Sequence, residues 1–157
     1  MLFINLVPFY CFLFVLDHEG VTVEGTAICL DDWKPSGNSP TCMKMFTTKK
    51  SWTDARADCM KRDGDLLAET DEAKLKSISE LTSVIYAWIG LNDRDREGLY
   101  LWASTGRRAS PPNWGPSQPD NYADNEDCVV AKKNDRNTID FADNTCENPN
   151  HYLCEIA

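Results

Sequence analysis

Apolar and polar residues follow two different periods along this chain of 157 residues. A helical period governs the region from 51 to 81. Ser51 is a typical N-cap for a first helix, which is predicted to run to about Arg62 and to stop before Gly64. A second helix is predicted to begin near Thr70, where two acidic residues suit the positive end of a helix. Its apolar stripe consists of Leu75, Ile78 and Leu81.

Short apolar runs separated by turn residues replace the helical period after residue 85 and predict the strands of an antiparallel sheet. These runs are 86–91, 99–102, 128–131 and 152–156. Earlier in the chain, residues 26–46 predict a hairpin of two short strands around a turn rich in Pro, Gly and Ser, closed by Cys29 and Cys42. Two helices that precede most of the sheet indicate an α+β domain.

A long stretch between the predicted strands, residues 103–128, contains several prolines and little periodic apolar pattern. Long loops of this kind inside a compact domain are usually functional. Residues 118–128 within it crowd carboxylates, carboxamides and a tyrosine beside Cys128. Because Ca²⁺ takes about six to eight oxygen ligands, this composition indicates a calcium site. An acidic, solvated surface loop is the alternative.

Cysteine content indicates an oxidising compartment. Seven cysteines and the apolar opening at residues 2–16 predict a secreted protein with a disulfide framework and a signal peptide, residues 1–20. The opening is shorter than the roughly 20 residues of a spanning helix. Cleavage after Ala27 is the alternative, and one domain follows, residues 28–157. Removal of Cys11 leaves an even number of cysteines, whose pairing is open except that Cys29 and Cys42 are spaced for a local loop.

The net charge of −9 favours cations as partners and argues against nucleic acid and anionic membranes, which bind basic faces. Zinc is disfavoured as well, because the chain has no Cys-x-x-Cys pair and its histidines are His18 and His151. The sequence suggests no pairing of a nucleophile with a base, so we expect no enzymatic activity.

Four segments, by their order and spacing, resemble the C-type lectin-like domain family. They are Trp88-Ile89-Gly90-Leu91, Gln118-Pro119-Asp120, Glu126-Asp127-Cys128 and the tail from Cys146 to Cys154. The resemblance covers residues 28–157 and implies a C-type lectin-like fold with two helices, antiparallel sheets and a long calcium-binding loop. It also implies three disulfides, which are Cys29–Cys42, Cys59–Cys154 and Cys128–Cys146. The extra pair Cys29 and Cys42 resembles the long form of the domain, which has an N-terminal hairpin.

In that family, one calcium ion is linked to the sugar, and its ligands correspond here to Gln118, Asp120, Glu126 and Asp143. Members of the family usually have an asparagine directly before the residue that corresponds to Asp143. This chain has Ala142 at that position, so one calcium ligand and one amide donor to the sugar are missing. Asn144 faces the other way if the segment is extended. A second calcium site of the family corresponds to five positions that all carry oxygen ligands here: Asp93, Glu97, Asn121, Glu126 and Asp127.

The pair Gln118 and Asp120 resembles the galactose-type motif, in which hydrogen-bond donor and acceptor are exchanged relative to the mannose type. Tyr122 lies where galactose-type members often carry an aromatic ring that stacks on the sugar. Packing of this ring on a neighbouring proline is the alternative. The resemblance also implies a cis peptide bond before Pro119, the residue type for which the cis form is least costly.

The resemblance therefore predicts a secreted, extracellular, calcium-dependent lectin whose partners are glycans that contain galactose or N-acetylgalactosamine. It implies a role in glycan or microbial surface recognition in innate immunity, in which homo-oligomers would supply avidity. The alternative is a calcium-stabilised domain that binds protein or a mineral matrix without recognising sugar. Ala142 separates the two hypotheses, because it removes a sugar contact and leaves most calcium ligands in place.

Overall fold

The structure of the chain is a computed structural model that describes residues 29, 32–81, 85–109 and 112–157. The predicted signal peptide, residues 1–20, and its alternative boundary at 27 lie outside the described residues. Within the described ranges, no helix is both long and apolar enough to cross a membrane.

Both predicted helices are present. Helix α1 is Trp52–Met60, and its N-cap Ser51 accepts a hydrogen bond from the backbone N–H of Asp54 at 3.2 Å, as its sequence position predicts. Helix α2 is Glu72–Leu81 and begins two residues later than predicted. The carboxylate of Asp71 accepts the backbone N–H of Lys74 at 2.7 Å and thereby satisfies a free donor of the first turn.

Eight strands form one sheet in the order β1-β2-β8-β4-β6-β7, with β3 added to β8 and β5 added to β4. All pairs are antiparallel except that of β4 with β8, so the sheet is mixed where a wholly antiparallel one was expected. The strands are β1 Lys34–Pro35, β2 Cys42–Lys50, β3 Asp65–Leu66, β4 Tyr86–Asn92, β5 Leu101–Trp102, β6 Cys128–Lys133, β7 Ile139–Asn144 and β8 Asn150–Ile156. Strands β3 and β7 are the elements that the apolar runs did not predict.

Alternating side chains of the central strands separate the core into two clusters. Along β6, Cys128 and Val130 face the cluster that covers α1, whereas Val129 and Ala131 face the cluster beneath the long loop. Trp88 is fully buried in the first cluster. The second cluster therefore supports the loop on which the candidate site lies.

All three predicted disulfides are present. They are Cys29–Cys42, Cys59–Cys154 and Cys128–Cys146, with Cα–Cα distances of 5.7, 5.4 and 5.1 Å. The disulfide Cys128–Cys146 closes a loop of 18 residues, and Cys59–Cys154 closes a loop of 95 residues. In the chain-entropy model such loops contribute about 3 and about 4.7 kcal/mol of stability. The disulfide Cys128–Cys146 fixes the strand pair β6 and β7 at the end that carries the loop.

A partly buried carboxylate joins the N-terminal hairpin, α2 and β8. Glu155 Oε1 accepts hydrogen bonds from Ser36 Oγ at 2.8 Å, from Thr41 Oγ1 and from Lys74 Nζ at 2.7 Å, and Glu155 Oε2 accepts the N–H of Ala68 at 3.2 Å. Burial alone would raise the pKa of Glu155, but the Lys74 ammonium and these hydrogen bonds hold it below its ordinary value. This network anchors the hairpin to the domain.

Candidate functional site

The second half of the long loop runs along strand β7 and is held there by backbone hydrogen bonds. Phe141 donates its N–H to the carbonyl of Asn113 at 2.7 Å, and Gly115 donates to the carbonyl of Phe141 at 2.9 Å. The peptide bond between Gln118 and Pro119 is cis, as the resemblance implies. The loop is therefore a fixed part of the fold at the point where the oxygen-rich segment begins.

Asp143 gathers that segment. Its side chain is buried, with 4% exposed. Its Oδ1 accepts the backbone N–H of Asp120 at 3.1 Å, and its Oδ2 accepts that of Asn121 at 2.7 Å. Its own N–H donates to Gln118 Oε1 at 3.1 Å. Three residues that the sequence analysis assigned to the site are thus brought to the end of β7.

Three carboxylates converge at this point. Oxygen atoms of Asp120, Glu126 and Asp143 lie within 4.8 Å of one another. Glu126 Oε2 accepts the backbone N–H of Tyr122 at 3.0 Å, and the N–H of Glu126 donates to Asn121 Oδ1 at 3.1 Å. Burial raises the pKa of Glu126, and so do the charges of Asp143 and Asp120. A divalent cation would offset this mutual repulsion, and carboxylate and carboxamide oxygens are the ligands that calcium prefers.

The residues of the second predicted site are less tightly gathered. Asp93 is buried, with 2% exposed, and its Oδ2 accepts the N–H of Gly98 at 2.8 Å. Its Oδ1 is buried without a hydrogen-bond partner in the described structure. Burial raises the pKa of Asp93 to about 6, with smaller contributions from Glu97 and Asp127. A buried carboxylate oxygen without a partner is costly, and a cation would satisfy it.

Among the described residues, Asp120, Glu126 and Asp143 are the three acidic side chains close enough together to share one ion in the conformation observed. The backbone carbonyl of Asp127 accepts a hydrogen bond from the N–H of Asp93 at 3.0 Å. Asn121 uses its side-chain oxygen for the N–H of Glu126. The residues predicted for the second site are therefore neighbours but do not form an equally tight cluster.

Ala142 leaves a gap that Asn144 does not fill. Ala142 pairs with Val130 in the ladder and packs against the cluster on the α1 side, whereas Asp143 pairs with Val129 on the other face. The side chain of Asn144 is occupied elsewhere. Its Nδ2 donates to the hydroxyl of Tyr86 at 3.2 Å, and its Oδ1 accepts from Asn148 Nδ2 at 2.8 Å.

The aromatic residues near the loop fall into two groups. Trp102 is buried and packs edge-on against Phe141, and Trp114 packs edge-on against Tyr100 with ring centroids 4.7 Å apart. These tryptophans pack beneath the loop. Tyr122 is different, because 75% of it is exposed and its ring is accessible beside Glu126. Its exposure argues against the alternative in which the ring packs on a proline.

Tyr86 is a residue near the site that the sequence analysis missed. Its side chain is 38% exposed. Burial raises the pKa of its hydroxyl, and the nearby charge of Glu126 adds to this effect. The sequence places Tyr86 only at the start of a strand, and its hydrogen bond joins it to a residue 58 positions away. No local pattern predicts such a contact.

Comparison with known proteins gives consistent matches. The family model of the lectin C-type domain matches residues 48–156. Perlucin from Haliotis laevigata is 29% identical over 122 residues, which is 75% of this chain and 77% of perlucin. C-type mannose receptor 2 from Mus musculus is 34% identical over 105 residues, which is 65% of this chain and 7% of the receptor.

A solved structure extends these matches to the fold. The carbohydrate-recognition domain of the human scavenger receptor C-type lectin superposes with a TM-score of 0.72 and 26% identity. The superposition covers 82% of this chain and 98% of that domain. The sheet order, the two helices and the disulfides described above are therefore those of a known fold.

Proposed function

The chain belongs to the C-type lectin domain family, and from this premise we propose that it is a secreted protein that binds glycans through calcium held by its long loop. The observation that carries the proposal is the convergence of Asp120, Glu126 and Asp143 within 4.8 Å. Two of the matched proteins bear names that refer to carbohydrate, the mannose receptor and the carbohydrate-recognition domain. The three disulfides agree with an oxidising, extracellular location.

In this proposal two calcium ions bind side by side. The sugar-linked ion would be held by Gln118, Asp120, Glu126 and Asp143, and the second by Asp93, Glu97, Asn121, Glu126 and Asp127. The donor set is made of oxygen atoms only, as calcium requires. When bound, calcium supplies open coordination positions for two neighbouring hydroxyls of a sugar. The protein residues orient that sugar, because carboxylates accept and carboxamides donate hydrogen bonds to the same hydroxyls.

The proposed specificity is for galactose or N-acetylgalactosamine. Gln118 and Asp120 carry the galactose-type exchange of donor and acceptor, and the exposed ring of Tyr122 is available to stack on the apolar face of the sugar. Ala142 removes one hydrogen bond, which is worth about 0.5 to 1.5 kcal/mol net, and one calcium ligand. Binding of a single site should therefore be weak, and homo-oligomers would strengthen it through avidity. Recognition of microbial or other glycan surfaces in innate immunity is the corresponding biological role.

The same alanine favours a second candidate function. Without the asparagine amide, the domain would keep its calcium and bind a protein or a mineral matrix without recognising sugar. The two candidates predict the same effect of calcium on stability. They differ in whether any monosaccharide competes for the site.

A glycan array with and without calcium tests the proposal. We expect galactose-terminated glycans to be bound in calcium and released in EDTA. The variant Asp120→Ala should lose this binding, whereas Asp135→Ala, which removes an exposed carboxylate in the turn after β6, should keep it. A parent protein that binds no glycan but is stabilised by calcium would refute the lectin proposal and support the second candidate.

A further inference from the structure

Two exposed tyrosines are hydrogen-bonded to residues at or next to the acidic cluster, Tyr122 to Glu126 and Tyr86 to Asn144. Within the described ranges, the large hydrophobic side chains that are exposed are Met60 at 57%, Tyr86 at 38% and Tyr122 at 75%. Tyr122 donates its backbone N–H to Glu126 Oε2 at 3.0 Å. The hydroxyl of Tyr86 accepts a hydrogen bond from Asn144, the residue that directly follows Asp143. Two of these three exposed side chains are therefore connected to residues at the end of β7 or to Glu126, and the third lies on α1.

The hydroxyl of Tyr86 is held in place by a short chain of amides. Asn144 Nδ2 donates to this hydroxyl at 3.2 Å, and Asn148 Nδ2 donates to Asn144 Oδ1 at 2.8 Å. Asn144 is only 8% exposed, directly follows Asp143 and pairs with Cys128 in the ladder. Its side chain is thus fixed by the sheet, and it fixes the tyrosine in turn.

This arrangement leaves the hydrogen of the Tyr86 hydroxyl unused. A phenol both donates and accepts, and here the oxygen accepts from Asn144 while the structure describes no acceptor for the hydrogen. The ring offers an apolar surface and the hydroxyl a donor, which together suit the mixed surface of a sugar. Because the hydroxyl is already oriented, a ligand would lose little additional entropy on binding to it.

We propose that Tyr86 forms a second sugar subsite, which takes the next residue of a glycan whose terminal galactose is held at the calcium site. The proposal rests on the proposed function, since the terminal sugar positions the second one. Asn144 and Asn148 act as positioning residues for Tyr86. The subsite adds affinity on the side of the loop where Ala142 has removed a contact. Because free galactose does not reach this subsite, the chain would prefer oligosaccharides to free galactose.

The test is a competition experiment on a galactose-coated surface in about 10 mM calcium. The competitors are free galactose and three disaccharides with terminal galactose linked β1-3, β1-4 and β1-6. The parent should be displaced by at least one disaccharide at a lower concentration than by galactose. In Tyr86→Phe this advantage should fall about two- to ten-fold, which corresponds to one lost hydrogen bond. Galactose itself should compete equally in both proteins, and Met60→Ala should behave as the parent.

Each other outcome overturns the inference. If no disaccharide competes better than galactose, or if the advantage survives in Tyr86→Phe, Tyr86 forms no second subsite. If the variant weakens galactose and disaccharides by the same factor, Tyr86 acts on the first sugar instead. A parent that does not bind the galactose surface in calcium refutes the proposed function, and the subsite fails with it.

Discussion

We expect Asp143 to act both as a tether of the loop and as a calcium ligand, and the variants Asp143→Asn and Asp120→Asn together separate these two roles. The carboxylate tethers the loop through the N–H groups of Asp120 and Asn121, at 3.1 and 2.7 Å. It is also a proposed calcium ligand. In the variant, the remaining side-chain oxygen still accepts one of these backbone N–H groups. The new amide group faces the other N–H, which then has no acceptor. Hydrogen bonds to charged groups contribute about 1.5 to 3 kcal/mol. We expect the calcium-free variant to lose about 1 to 3 kcal/mol, because relief of repulsion with Glu126 offsets part of the loss.

The matched control is Asp120→Asn. The side chain of Asp120 is exposed and accepts no N–H from the part of the backbone that the structure describes. Its neutralisation should therefore change the stability of the calcium-free protein by less than about 0.5 kcal/mol. Both variants should lose the stabilisation that comes from the sugar-linked calcium ion, because both side chains are proposed ligands of that ion. For the parent, a dissociation constant of about 0.1 to 1 mM predicts that about 10 mM calcium adds about 1.4 to 2.7 kcal/mol.

Urea unfolding in EDTA and in calcium measures both roles at once. The order of stability in EDTA should be parent and Asp120→Asn together, with Asp143→Asn lower. In calcium, the parent should gain more stability than either variant. If Asp143→Asn unfolds in EDTA at the same urea concentration as the parent, the tether does not stabilise the loop. If calcium stabilises both variants as much as the parent, the acidic cluster is not the calcium site.

Three further outcomes are expected. Mass spectrometry after alkylation without reduction should show three disulfides and no labelled cysteine in the secreted protein; a labelled cysteine would mean that Cys11 is retained or that the pairing differs. The hydrogen bond from Tyr152, with the charges of Lys50 and Arg62, lowers the pKa of Asp58 to about 2. The contribution of Asp58 to stability is therefore complete above its ordinary pKa near 4 and is lost as the pH falls towards 2. Urea titrations should show that Asp58→Asn loses less stability at acid pH than the parent does, and an equal loss would contradict this. Ala142→Asn should raise the affinity for galactose several-fold in calcium, measured by titration calorimetry, and unchanged affinity would show that the missing amide is not what weakens the site.

The regular elements of the fold follow from local patterns in the sequence. Ser51 caps α1 as predicted, and the apolar runs at β4 and β6 begin at the predicted residues. Strand β7 was missed because its Asp and Asn residues are rare in strands and mask the alternation of buried Ile139 and Phe141. The parallel pairing of β4 with β8 joins segments about 64 residues apart, since Ala87 lies opposite His151, and no local period encodes it.

The site divides in the same way. The residues of the long loop were found because carboxylates and carboxamides cluster within eleven positions, and the structure brings Gln118, Asp120 and Glu126 to Asp143. The contact between Tyr86 and Asn144 and the buried, unpartnered oxygen of Asp93 depend on tertiary packing. Sequence reasoning can place such residues on strands and loops, but their partners are set by the fold.

Retention of the parent protein on immobilised galactose tests the central claim most directly. In about 10 mM calcium the protein should be retained, and both EDTA and free galactose should elute it, whereas free mannose should not. A multivalent matrix is required because a single site is expected to be weak. Passage of the protein through the column in calcium, with its calcium-dependent stability intact, would contradict the account.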